Sequence, residues 1–192
     1  MIHFILGGAR SGKSRYAEQQ TLLQSDKNNP PVYIATATAT DNEMKARIVK
    51  HKSDRDSHWQ LIECPLELTA CIKNASPDKT YLLDCLTLWL NNQLYLAETE
   101  QQTQGLSSSH IEQRLKSEID LFITALNEQF SDNNQYIVIV SNEVGLGVIP
   151  MGETTRLFVD YCGWLNQAVA KIAQRVTLVT AGIPLTLKPA SS

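Results

Sequence analysis

Residues 7–14 read Gly7-Gly8-Ala9-Arg10-Ser11-Gly12-Lys13-Ser14, a complete G-x-x-x-x-G-K-[ST] pattern. The apolar run Ile2-His3-Phe4-Ile5-Leu6 precedes it and reads as a buried strand, and Ser14-Arg15-Tyr16-Ala17 opens a helix after it. Strand, glycine-rich loop and helix together make the pattern a phosphate cradle rather than a chance string. The glycines let the backbone curl so that successive N–H groups face inward, and the helix N-terminus adds partial positive charge. In such a cradle Lys13 reaches the β- and γ-phosphates and the Ser14 hydroxyl holds Mg²⁺.

The rest of the chain alternates strand and helix. Pro30 and Pro31 bar helix before the strand Val32-Tyr33-Ile34-Ala35-Thr36. A capping box, Thr40-Asp41-Asn42-Glu43, then starts a helix through Lys52. A short strand covers 59–64, a short helix 66–74, and the strand Thr80-Tyr81-Leu82-Leu83-Asp84 ends in a carboxylate. Apolar residues closing on Asp form the arrangement that sets a carboxylate beside Mg²⁺. A helix is expected over 86–98, then an exposed, mobile Gln/Ser/Thr-rich loop over 98–109. Ser109-His110-Ile111-Glu112 caps a helix whose stripe Ile111, Leu115, Ile119, Phe122, Leu126 and Phe130 is core. Tyr136-Ile137-Val138-Ile139-Val140 is the most strand-like run; Ser141, Asn142, Glu143, Gly145 and Gly147 follow at its carboxyl end, the edge where open α/β sheets bind ligands. A helix over 154–174 and the strand Val176-Thr177-Leu178-Val179-Thr180 complete the alternation, and the tail beyond Gly182 can add an edge strand.

This order implies an α/β fold of the P-loop type: three α/β/α layers, a mainly parallel sheet and a possible antiparallel edge strand. The 192 residues suit a single domain, 1–192, large enough to bury a core. A net charge of −3 argues against a broad nucleic-acid surface. No run approaches the ~20 apolar residues of a membrane span, and the first apolar run, Ile2 to Leu6, is too short for a secretory leader. Cys64, Cys71, Cys85 and Cys162 show no C-x-x-C spacing, so reduced thiols in a cytoplasmic protein are expected.

His51 narrows the chemistry beyond triphosphate binding. Glu43, Arg47, His51 and Arg55 share one helical face, with Lys52 beside them. Cations around a histidine disfavour its protonated form. A neutral imidazole can attack phosphorus while those cations neutralise phosphate charge. A solvent-facing helical histidine fits the same pattern. His3 reads as structural, His110 as solvated, and His58 as a loop residue that could touch substrate. Glu143, by its place at the strand edge, reads as a candidate substrate-side carboxylate.

Several blocks together resemble the bifunctional adenosylcobinamide kinase / adenosylcobinamide-phosphate guanylyltransferase family of cobalamin biosynthesis. They are residues 7–14; Tyr33-Ile34-Ala35-Thr36; Asp41, Glu43, Met44, Arg47, Ile48, His51 and Lys52 with His58-Trp59; Leu82-Leu83-Asp84-Cys85-Leu86-Thr87; and residues 141–150. The resemblance implies phosphorylation of the aminopropanol hydroxyl of adenosylcobinamide by ATP or GTP. It further implies transfer of GMP from GTP, through a GMP-histidine at His51, to give adenosyl-GDP-cobinamide and pyrophosphate. By the same resemblance, nucleotide contacts fall on Gly7, Gly8, Ala9, Arg10, Ser11, Gly12, Lys13, Ser14, Ile34, Ala35, Thr36, Lys52, Ser53, Asp54, Arg55, Glu63 and Asp84. Many relatives carry glutamate where this chain has Asp84. The family also implies a homo-oligomer, a trimer being one expected form. A kinase with His51 as bystander is the competing enzyme reading. A nucleotide switch is the competing non-enzyme reading, and it needs neither His51 nor its basic helix; the chain shows no guanine-reading N-K-x-D.

Overall fold

The computed structural model describes residues 1–26, 28–38, 59–107, 109–131, 135–147 and 150–189. The expected capping box at 40–43 and the helix bearing His51 lie outside them. The strands are β1 (Ile2–Gly7), β2 (Val32–Ala35), β3 (Gln60–Glu63), β4 (Thr80–Asp84), β5 (Tyr136–Asn142), β6 (Arg175–Thr180) and β7 (Ile183–Lys188). The helices are α1 (Lys13–Gln24), α2 (Leu68–Lys73), α3 (Leu86–Gln104), α4 (Ser109–Phe130) and α5 (Glu153–Ile172).

The strands form one seven-stranded sheet in the order β3-β2-β4-β5-β1-β6-β7. Every pairing is parallel except β6 with β7, so the tail does add an antiparallel edge strand. The near-continuous apolar runs of β1, β4 and β5 suit strands covered on both faces. On one face Ile2, Phe4, Leu6, Ile34, Leu83, Ile137 and Ile139 pack under α2, α3, α4 and α5. On the other, Ile5, Tyr33, Leu82, Val138, Val140 and Val179 meet Ala17 of α1. The α4 stripe is core as expected, with Leu115, Ile119, Phe122, Leu126 and Phe130 buried.

Two expectations need correction. Residues 98–104 are helical, not loop: α3 continues to Gln104. Thr99 and Thr103 turn their hydroxyls back onto the carbonyls of Tyr95 and Thr99, at 2.8 and 2.7 Å. Gly105, at φ +65°, takes the left-handed conformation that closes the helix. The polar composition that suggested a loop belongs to an exposed helical face. Nor is His110 merely solvated. Its Nε2 lies 3.2 Å from Glu100 Oε2, and Arg114 Nε lies 3.5 Å from the same oxygen, tying α4 to the end of α3. Among the described residues, no helix is long and apolar enough to cross a membrane.

His3 is structural, as its alternation in β1 implied. It is fully buried, with Nε2 2.9 Å from Thr177 Oγ1 and Nδ1 3.2 Å from Tyr136 Oη. Burial, helped by the Arg175 charge, pushes its pKa down to about 4. The four cysteines are free thiols. Burial, then the adjoining Asp84 carboxylate, pushes the Cys85 thiol up to about 11, which makes it a neutral packing group rather than a nucleophile.

Candidate active site

β1 delivers Gly7 to the carboxyl edge of the sheet, and α1 begins at Lys13. The loop between them is held tightly. A Cβ on Gly7 would come 2.5 Å from Ser11 Oγ and 2.6 Å from the Val179 carbonyl, a backbone atom that cannot swing away. Gly12 sits at φ +92°, which side-chain-bearing residues rarely adopt. Ser11 N donates to the Gly8 carbonyl at 3.3 Å, and Gly182 N donates to the Ser11 carbonyl at 2.8 Å. Lys13 is buried, and its ammonium donates to the Gly8 carbonyl at 3.1 Å, curled over the loop. Gly8, Ala9 and Arg10 are exposed on the rim, and Ser14 is half-buried on the first turn of α1. The residues expected to cradle phosphate therefore form one compact loop with its cation in place.

The parallel registers then align the remaining carboxylates with this loop. Ala35 lies opposite both Glu63 and Asp84, and Asp84 opposite Val140, which in turn pairs with Ile5. Asp84 thus stands level with Ile5, two residues before the end of β1, on the α1 face, but with β5 between their strands. Tyr33 Oη donates to Asp84 Oδ2 at 3.0 Å and orients that half-buried carboxylate. In the sequence Tyr33 stands only within a matched block and carries no assigned role, although the two-residue period of β2 puts it on the same face as Ala35. Glu63 closes β3 at the far edge and is exposed.

The threonine just after β2 turns its hydroxyl inward. Thr36 is buried; its Oγ1 donates to the Cys85 carbonyl at 2.7 Å and accepts from Cys85 N at 2.9 Å. Its hydroxyl fixes the turn after Asp84. Glu143 lies beside the cradle, its N–H donating to the Gly7 carbonyl at 3.2 Å. Its carboxylate folds back to accept from Gly145 N at 2.8 Å, which stiffens its own loop. His51, Lys52, Ser53, Asp54, Arg55 and His58 lie outside the described residues.

Among the described residues, no group of three or more His, Cys, Asp or Glu side chains could cage a metal ion. The oxygen donors expected from the sequence are the Ser14 hydroxyl, on the first turn of α1, and the Asp84 carboxylate, at the end of β4. A donor set this small fits Mg²⁺, which takes one or two protein oxygens and completes its shell with phosphates and water.

Comparison with known proteins follows the same path through the chain. The family model for cobinamide kinase / cobinamide phosphate guanyltransferase matches residues 3–187. The bifunctional adenosylcobalamin biosynthesis protein CobP of Pseudomonas aeruginosa is 43% identical over 189 residues, covering 98% of this chain and 98% of its own. The corresponding CobU proteins of Salmonella typhimurium and Escherichia coli are 37% and 35% identical, each across 98% of this chain and 100% of theirs. The match runs from β1 into β7 and takes in the phosphate loop, the Asp84 strand and the loop after β5, so the chain belongs to the cobinamide kinase / cobinamide phosphate guanyltransferase family.

Proposed function

We infer that this chain, acting as one domain over residues 1–192, phosphorylates the aminopropanol hydroxyl of adenosylcobinamide with ATP or GTP and then transfers GMP to the product. The observation that carries the reading is the closed phosphate loop, with Lys13 folded onto it, in a chain of this family.

In the first reaction the acceptor hydroxyl oxygen attacks the γ-phosphorus. The bond to the β,γ-bridging oxygen breaks, the nucleoside diphosphate leaves, and the hydroxyl proton passes to solvent. Lys13 and the loop amides neutralise charge on the transferring group and hold it in line, which supplies most of the acceleration in phosphoryl transfer. In the second reaction a neutral His51 nitrogen attacks the α-phosphorus of GTP and pyrophosphate departs. A phosphate oxygen of the acceptor then displaces the histidine, releasing adenosyl-GDP-cobinamide. Such double displacement has ping-pong character. Lys52, Ser53, Asp54, Arg55, Glu63, Ile34, Ala35 and Thr36 are assigned to the nucleotide, and His58 and Glu143 to the acceptor side. Mg²⁺, held through Ser14 and Asp84 when bound, supplies charge neutralisation at the phosphates. The setting we assign is a cytoplasmic homo-oligomer, with a trimer as the form to test.

The deciding experiment incubates the protein with α-labelled GTP and Mg²⁺ and follows acid-labile, base-stable label on the chain. Label in the unsubstituted protein and none in His51→Ala is the expected result. No label despite measured GTP binding removes the guanylyl-transfer mechanism, and label surviving in His51→Ala moves the nucleophile elsewhere.

A further inference from the structure

Nothing in their spacing couples Cys64 with Cys71, yet the fold brings the two thiols together. Cys64 directly follows β3, and its N–H donates to the Ala35 carbonyl at 2.8 Å. Cys71 lies in α2, where its N–H donates to the Glu67 carbonyl at 3.0 Å. Each backbone is thus held by its own element. Between those elements the Cys64 S–H donates to Cys71 Sγ. Both residues line one cavity of about 310 Å³, bordered by the exposed Glu63, Glu67, Ala70 and Asn74.

The two sulfurs are not equivalent. Cys64 is 6% exposed, whereas Cys71 is half-buried, so Cys71 presents more surface to a reagent. The shared hydrogen bond outweighs burial and lowers the Cys71 thiol. The same bond, then burial and the charges of Cys71 and Glu67, raises the Cys64 thiol. An accessible sulfur with thiolate character beside a protonated one is the arrangement of an attacking and a resolving thiol. Cys85 and Cys162 differ. Both are buried, and burial above all pushes them up to about 11 and about 12, so they pack as neutral groups.

We propose that Cys64 and Cys71 form a reversible dithiol–disulfide site, oxidised by a low-molecular-weight disulfide that enters the cavity and meets Cys71 first. The Cys71 thiolate attacks one sulfur of the reagent. A new S–S bond forms, the reagent's own S–S bond breaks, and one reagent thiolate leaves and takes a proton from solvent. The Cys64 sulfur then gives up its proton and attacks Cys71 Sγ. The mixed disulfide breaks, and the second reagent thiolate leaves with that proton. Two protein thiols are oxidised to one disulfide, and the reagent is reduced to two thiols. Consuming the Cys71 thiolate removes the charge that held the Cys64 proton, so the first step prepares the second. The site is independent of the nucleotide chemistry proposed above.

The test treats the reduced, full-length protein with 2-hydroxyethyl disulfide, an uncharged reagent that the Glu67 carboxylate does not repel. Remaining thiols are alkylated and tryptic peptides weighed. Peptide 56–73 holds both cysteines and no other. It should emerge unalkylated and two hydrogens lighter, and dithiothreitol should restore both thiols. In Cys64→Ala the reaction should stop at a mixed disulfide on Cys71. In Cys71→Ala the attack at Cys64 should be at least about tenfold slower than that. Phenylarsine oxide, which bridges adjacent thiols, needs no substitution: it should protect Cys64 and Cys71 together from alkylation in the unsubstituted protein. Two alkylatable thiols left in peptide 56–73 after either reagent overturn the proposal, as does a bond from either residue to Cys85 or Cys162. Faster attack at Cys64 than at Cys71 overturns the assigned order.

Discussion

The two faces of the sheet are built from different materials. Beneath α2, α3, α4 and α5 lies the larger apolar cluster, with Trp89, Phe4, Phe122 and Phe130 fully buried and Thr87, Gln93, Ser141 and Asn166 as its buried polar side chains. On the α1 face the same strands present His3, Thr177, Tyr136, Tyr33 and Asp84 among fewer apolar residues, and Lys13 closes that layer. One side supplies most of the hydrophobic stabilisation, which leaves the other free to hold polar groups in fixed places. A strand shared by both layers carries the two roles on alternate residues. In β1, Ile2, Phe4 and Leu6 face the thick layer, while His3 and Ile5 lead to Gly7 and the cradle.

The contrast can be broken by substitutions on either side. The largest effect is expected for Trp89→Ala on the thick face. Trp89 is fully buried, stacks against Phe122 with ring centroids 5.2 Å apart, and donates its indole N–H to the Leu66 carbonyl at 2.9 Å. Its removal should cost about 3–5 kcal/mol in urea unfolding, with kcat of the folded protein little altered. A large drop in kcat at unchanged stability would erase the division of labour.

Next in size is Lys13→Ala on the thin face. Both phosphoryl and guanylyl transfer should fall by roughly 10²–10³, while unfolding free energy changes by about 1 kcal/mol for the one lost hydrogen bond. Equal losses of stability and rate would show that Lys13 is chiefly a packing residue.

The His3 cluster gives a third, pH-dependent effect. Because burial holds the folded pKa down to about 4 against an ordinary 6.5, only the unfolded chain takes up this proton as pH falls through 6.5. Stability contributed by neutral His3 is thus intact above pH 6.5 and is lost progressively down to pH 4, by about 3 kcal/mol in all. Thermal melts of the protein and of His3→Gln between pH 7.5 and 4.5 should converge towards the acid end. Parallel curves would remove His3 as the cause.

The smallest effect belongs to Tyr33→Phe. Loss of the 3.0 Å bond to Asp84 should cost about 1 kcal/mol of stability and raise the Mg²⁺ concentration for half-maximal rate a few-fold. An unchanged Mg²⁺ dependence would detach Asp84 from the metal role proposed for it.

The sequence made the local parts of this architecture plain. The phosphate loop is visible because its chemistry occupies eight adjacent positions, 7–14, and β5 because five apolar, mostly β-branched residues run together. Helix α3 was read short because its last turns are rich in Gln and Thr, and composition alone does not reveal a hydroxyl turned back onto its own helix. What joins distant segments was not legible. His3 and Thr177 stand 174 residues apart, and no periodicity relates them. The insertion of β5 between β1 and β4 is likewise a fact of assembly, since neither strand encodes its neighbour. The same limit hid Tyr33, whose significance depends on pairing β2 with β4, and Gly182, which meets the phosphate loop only after the sheet has formed.

That last contact has a practical side. The Gly182 amide is an N–H on the closing hairpin whose acceptor is a carbonyl of the phosphate loop. A rearrangement of the loop that shifts the Ser11 carbonyl relative to the hairpin changes this bond. Its proton resonance and its rate of exchange with deuterium therefore report cradle occupancy from a residue outside the cradle, at a glycine that no substrate needs to touch. By the same coupling, tags or deletions that disturb the β6–β7 hairpin will be felt as altered nucleotide affinity, although they lie at the opposite end of the chain from the loop they perturb.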